Sequence, residues 1–214
     1  MGATMNNTQH DFNDGNGPVK AHRHQNPDGT EGGWVADTAT VEETAFVGPD
    51  AKVYGRAKVF GHAEVFGHAE VFDYAVVYGR ARVFGSAVVY GCASVFDSAE
   101  VYGCASVFGY ATVFDNARVF GHAMVSGEAE VFAHAMVYGK ADVFDNAKVF
   151  GYAVICDDAR VFDNATVYDT AWVSGNAVVY ANAKIYGNAW VVCGNAHVCG
   201  NARVDGVVKQ IFDI

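Results

Sequence analysis

Positive charge is in short supply in this chain: 14 Lys and Arg stand against 24 Asp and Glu, a formal net charge of −10 over 214 residues. That balance disfavours attraction to nucleic acid or to an anionic membrane, so neither is expected as a partner. Both signs are interspersed along the chain, which describes a solvated surface and not an acidic tail. Long apolar runs are also missing, since no stretch approaches the roughly 20 continuous apolar residues of a membrane helix. The opening residues, MGATMNNTQHDFNDGNG, carry neither the basic region nor the apolar run of a secretory signal. Asn6 stands where a myristoylation signal prefers Ser or Thr. Five cysteines, Cys92, Cys104, Cys156, Cys193 and Cys199, are too few and too scattered for a disulfide framework. Together these absences lead to the expectation of a cytoplasmic protein with reduced thiols.

What the chain has in abundance is one repeat. In register it reads AKVYGR, AKVFGH, AEVFGH, AEVFDY, AVVYGR and onward to AKIYGN. Alanine returns at every sixth position from Ala39 to Ala189, and Val or Ile at every sixth from Val35 to Val191. One extra residue enters after Val191, and the phase resumes at Ala196, Val198, Ala202 and Val204. A period of six cannot keep one face of a helix apolar, because 3.6 does not divide it. On a short strand it is natural: Ala and Val, two apart, face inward, and the residue between them faces out. The remaining triplet has turn chemistry. Between residues 55 and 187 its second position is Gly 14 times, Asp 7 times and Ala twice, and Gly and Asp tolerate the positive φ of a tight corner.

Strands this short must stack coil on coil to satisfy their backbone groups. Three hexads per coil is favoured over two by the outward residues. At a spacing of 18, Glu64, Arg82, Glu100 and Arg118 form a ladder of alternating charge that a spacing of 12 destroys. Residues 34–204 then make roughly nine and a half coils, a rod about 45 Å long at about 4.8 Å per coil. Its interior, lined by Ala and Val, is narrow and dry. Residues 1–33 are set apart as a polar, flexible leader whose later part folds over the first coil. Residues 205–214, with Val207, Val208, Ile211, Phe212 and Ile214, are set apart as a C-terminal cap or docking tail.

The hexads, such as Val59 with Ala63, Val65 with Ala69 and Val113 with Ala117, resemble those of the left-handed β-helix, hexapeptide-repeat superfamily. The likeness is greatest to its regular, loop-free variant from bacteria and their phages, often labelled acyltransferase on fold alone. The resemblance implies an all-β, single-stranded left-handed parallel β-helix of triangular section. It also implies assembly as a homo-oligomer, and two enzymatic alternatives: an acyltransferase with a site between subunits, or a carbonic-anhydrase-like metalloenzyme.

The residues lend those alternatives little. An acyltransferase of this type needs a histidine base and a long loop around the acyl donor, and no loop interrupts residues 34–191. The weak catalytic candidates, His62, His68, His122 and His134, all fill a solvated corner position also held by Arg, Ser, Tyr and Asn. His22 and His24 are weak metal candidates on an extended face and, with Trp34, mark a second possible site near the N-terminus. The stacked pairs Asp97 with Asp115 and Asp145 with Asp163 suit a cation or a glycine-like turn equally well. No cofactor is expected.

Two surface features remain. Phe or Tyr follows the inward Val in 20 of 23 hexads between residues 54 and 186, with Ser126, Cys156 and Ser174 the exceptions. Stacked rings that shield the corners explain this best; a strip for glycans or a partner protein is the alternative. The charged outward file ends in Met136, Val154, Trp172 and Trp190, a candidate surface for a dimer or trimer interface or for another protein. The expectation is therefore a non-enzymatic structural or protein-binding rod, such as a phage or host-interaction factor.

Overall fold

A computed structural model of the chain describes residues 8–191 and 196–208. Each hexad contributes a two-residue strand, and strands three hexads apart pair in parallel, as in Arg82 beside Glu64 and Glu100. The pairing generates three sheets of 12, 10 and 10 strands, the three sides of a triangular prism that matches a left-handed β-helix. The charge ladder is thus a true column: Arg82 meets Glu64 at 3.1 Å and Glu100 at 3.0 Å, and Arg118 meets Glu100 at 3.2 Å. The one-residue insertion changes the offset from 18 to 19, so that His197 pairs with Val178.

The interior is the expected Ala and Val column. From Val53 to Val191 the inward Val and Ile side chains are fully buried, and the inward Ala residues from Ala57 to Ala189 likewise. At the corners every residue at the second turn position from Gly55 to Gly187 has a positive φ, between 57° and 77°. The amide after it donates to the next coil, as His62 N–H does to Gly79 O at 2.8 Å. The left-handed residue's own amide is served differently. At five of the seven corners where the preceding coil carries Asp, the carboxylate accepts this N–H: Asp73 from Gly91, Asp115 from Ala133, Asp157 from Gly175, Asp163 from Ala181 and Asp169 from Gly187, at 3.0–3.2 Å. The aspartates therefore act in the backbone of the solenoid.

Rings follow the three corners. Phe60, Tyr78, Phe96, Phe114, Phe132, Phe150, Tyr168 and Tyr186 stack in one file with centroids 4.8–5.4 Å apart and planes within 12°. These rings are half-buried.

The N-terminal segment breaks the pattern. Strands β1 (Gln9–His10), β2 (Val19–Gln25) and β3 (Glu31–Ala36) form an antiparallel meander that extends one side of the prism. β3 then opens the first coil, followed by β4 (Thr40–Val41) and β5 (Phe46–Val47). The leader is drawn into the fold as far back as β1, and Phe12 after it is 2% exposed and stacks on Tyr54 at 4.7 Å. At the other end, parallel pairing continues past Val204, with Val207 beside Trp190 and Val208 beside Val191. Cys193, Ile211, Phe212 and Ile214 lie outside the described residues. Among the described residues no helix is long and apolar enough to cross a membrane.

Candidate interaction site

The corner rings and the outward residues are linked. In each of the three ring-less hexads the outward residue is apolar: Met124 before Ser126, Val154 before Cys156 and Trp172 before Ser174. Among the 20 hexads with a ring, only four carry an apolar outward residue: Val76, Val88, Met136 and Val178. A missing ring leaves apolar backbone and neighbouring rings uncovered, and a larger outward side chain can cover them. Two of the three exceptions, Cys156 and Ser174, sit one above the other on the same corner, directly beyond Tyr138.

The result is a small cavity of about 270 Å³ lined by Tyr138, Cys156, Asp157, Trp172, Ser174 and Trp190. Cys156 and Ser174 are buried in its floor. The Tyr138 hydroxyl and the Trp172 side chain hydrogen-bond to the Cys156 sulfur. Burial, followed by the bond to Cys156, pushes the Tyr138 phenol up to about 12. Burial also pushes the Cys156 thiol up, partly offset by its bonds to Tyr138 and Trp172. A thiol raised in this way stays protonated near neutral pH and is a poor nucleophile. The cavity is thus equipped to hold an apolar group and lacks an activated sulfur.

The four residues of the outward file adjoin each other in pairing order, Met136 beside Val154, Val154 beside Trp172 and Trp172 beside Trp190. They are not equally open. Val154 is only 5% exposed, Met136 and Trp172 are half-buried, and Trp190 is 52% exposed. The two indoles lie 6.0 Å apart and 58° from parallel, so they form the sides of a notch and not a flat plate. The surface is therefore centred on Trp190 and the cavity beside it. The strand pairing puts these four residues in one column, and the cavity adds Tyr138, Cys156 and Ser174, of which the sequence marked the last two only as corners without a ring. The coincidence of ring loss with apolar outward residues was the available signal.

Elsewhere the candidates are dispersed. His62, His68, His122 and His134 are exposed corner residues, and His134 stacks on Tyr152 at 4.8 Å. Asp145 and Asp163 lie along an open groove with Glu128, Asn146, Asn164 and Asn182. There the Asp163 carboxylate is engaged by the Ala181 amide. Among the described residues no group of three His, Cys, Asp or Glu gathers to hold a metal ion. Cys92, Cys104 and Cys156 are free thiols.

The N-terminal candidates are employed in the cap. His24 is 6% exposed with Nε2 3.0 Å from Ala45 O, whereas His22 is exposed with Nδ1 3.1 Å from Asp37. His22 is thus exposed and His24 buried, with a register shift of the β2–β3 pair between Arg23 and Gln25. Trp34 packs between His10, stacked at 4.4 Å, and the Arg23 guanidinium, 5.3 Å from its ring.

Comparison with known families is consistent with this architecture. The family described as YdcK Beta solenoid repeat matches residues 75–91 and 159–175, two stretches of about one coil each that both begin at an inward Ala. The chain is similar to that repeat over about a sixth of its length. Neither the curated proteins nor the solved structures offered a match.

Proposed function

We propose that this protein is a non-enzymatic, protein-binding rod whose contact surface is the Trp172/Trp190 end of one face. The observation that carries the reading is the concentration of Trp172, Trp190 and Tyr138 around one apolar cavity on a rod whose other outward positions are mostly polar. Tryptophan and tyrosine anchors in desolvated pockets dominate the energetics of protein interfaces. A second copy is the first partner to consider, in a dimer or trimer, and a phage or host-interaction role would use the same face for a different protein. Among the described residues the coils offer no projecting loop to shape an acyl-donor site, which favours this reading over an acyltransferase.

The test is the double variant Trp172→Ala with Trp190→Ala, compared with the wild type by sedimentation velocity and circular dichroism. The expected result is an oligomer that falls to monomer while the β-signal is kept. A wild type that is monomeric and binds no protein, or a variant of unchanged mass and binding, would sink the proposal.

A further inference from the structure

The first coil of any open solenoid has an edge with nothing above it, and here the cap supplies the missing coil with side chains. In later coils the inward Ala and Val carbonyls accept backbone N–H groups from the coil before: Ala63 O from Phe46, Val65 O from Gly48. For the first coil the corresponding acceptors are Ala45 O and Val47 O. They are taken by His24 Nε2 at 3.0 Å and by Asn26 Nδ2 at 3.1 Å, while Asn26 Oδ1 accepts from Val47 N–H at 2.9 Å. Gly32 and Gly33 let the meander lie this close. A Cβ at Gly33 would collide with the Ala51 carbonyl, and one at Gly32 with that of Val47.

Two of the groups that hold the cap are imidazoles whose burial disfavours the protonated form. His24 donates to a carbonyl from a buried site. Burial pushes its pKa down, and His22 nearby adds to the effect against the opposing bond to Ala45. His10 is stacked on Trp34 and set edge-on to Phe12 at 4.8 Å, and its Nε2 is buried with no hydrogen-bond partner. Burial lowers its pKa too, with Lys52 and Arg23 adding to the effect and Asp11 opposing it. The remaining charged groups are partly engaged: Lys52 pairs with Glu70 at 2.9 Å, Arg23 with Glu31 at 3.3 Å, and His22 with Asp37. Glu70 also accepts from Tyr54, and Glu42, at the corner after β4, accepts from Gly61 N–H. β5 itself carries no charged residue.

We propose that the meander β1–β3 is an acid-released cap, in which neutral His10 and His24 hold β1 and β2 on the first coil and their protonation frees them. The direction follows from linkage. A histidine whose pKa is lowered by folding contributes stability that is complete above the ordinary imidazole value of about 6.5 and is lost as pH falls below it. Release uncovers the strand edge at Ala45 and Val47, the kind of edge to which another strand can add.

Hydrogen exchange of the full chain, corrected for intrinsic rates, tests this at about pH 7.5 and about pH 5.0. The expected result is protection at residues 9–26 and at the Val47 amide that falls more than about fivefold in acid, with residues 58–190 unchanged. The variant His10→Phe with His24→Gln keeps a ring for the stack and a donor for Ala45 without a titrating group, and should hold its protection in acid. Equal wild-type protection at both pH values overturns the proposal, as does acid release of the same size in the variant. Should the variant fail to fold, an imidazole titration of the wild type by NMR decides. His10 and His24 must titrate together with the cap amide signals, and titration without any change in those signals overturns the proposal.

Discussion

A non-glycine residue held near φ +58° is uncommon in a folded protein, yet the corners of this rod hold seven aspartates and two alanines there. The left-handed region costs an ordinary L-residue roughly 1–2 kcal/mol, and Asp and Asn less, because their side chains bond locally. The aspartates here have a second source of support, since five of them accept the amide of the next coil's corner. Both left-handed alanines, Ala133 and Ala181, lie directly below such an aspartate. At this scale the prediction concerns Asp115. Asp115→Ala loses the acceptor for Ala133 and keeps the strained φ, and should cost about 1–2 kcal/mol in chemical denaturation. Asp115→Asn keeps an acceptor oxygen and should cost less than about 0.5 kcal/mol. Equal losses for the two would show that the carboxylate bond contributes nothing.

At the scale of a single column of strands, Arg82 joins three elements at once. Its guanidinium reaches Glu64 and Glu100 on the strands to either side, and it lies 5.3 and 5.1 Å from the Phe66 and Phe84 ring centroids. Isolated exposed ion pairs are worth about 0–1 kcal/mol, so the network and the rings must supply any larger effect. Arg82→Lys keeps the charge but cannot reproduce the planar fork between two carboxylates and two rings. We expect Arg82→Lys to lose about 0.5–1 kcal/mol of stability, with a loss that shrinks in about 1 M salt as the ionic part is screened. A lysine variant as stable as the wild type at low salt would reduce the ladder to decoration.

For the whole molecule, the repeat makes stability nearly a sum over coils and their interfaces. Deleting residues 75–92 removes one coil and returns each outward residue to its own side of the prism. The shortened chain should fold, with scattering showing a rod shorter by about 4.8 Å. Deleting only residues 75–80 keeps every Ala and Val inward but shifts all later hexads by one side. The Glu64 column then meets the wrong neighbours, and the Trp172/Trp190 surface moves to another face relative to the cap. The eighteen-residue deletion sets Glu64 beside Glu100, and the six-residue one sets Lys58 beside Arg82 and Glu64 beside Val88. Each loses a rung of the ladder, so both should fold with a lower thermal midpoint than the full chain. An unchanged midpoint in both would mean that the columns of outward residues matter little.

The amino-acid sequence alone determined the all-β class, the inward Ala and Val, the left-handed corner positions and the coil of 18. The first three follow from a strict period, legible because each hexad repeats the same local problem with the same solution, and the coil of 18 follows from the ladder of outward charges. It also placed Trp172 and Trp190 on one outward file. Tertiary structure decided how open that file is: Val154 is covered, Trp190 is exposed, and Cys156 and Ser174 become buried lining of a cavity. Those outcomes depend on what sits one coil away, 18 residues distant, and on the size of the ring that is absent there. How the cap attaches was hidden for a different reason. His24 and Asn26 are ordinary polar residues in a leader without a repeat, and only their position over Ala45 and Val47 turns them into substitutes for a missing strand. What repeats can be read from neighbours in sequence; what terminates the repeat is decided by unpaired backbone groups that only the assembled coil exposes.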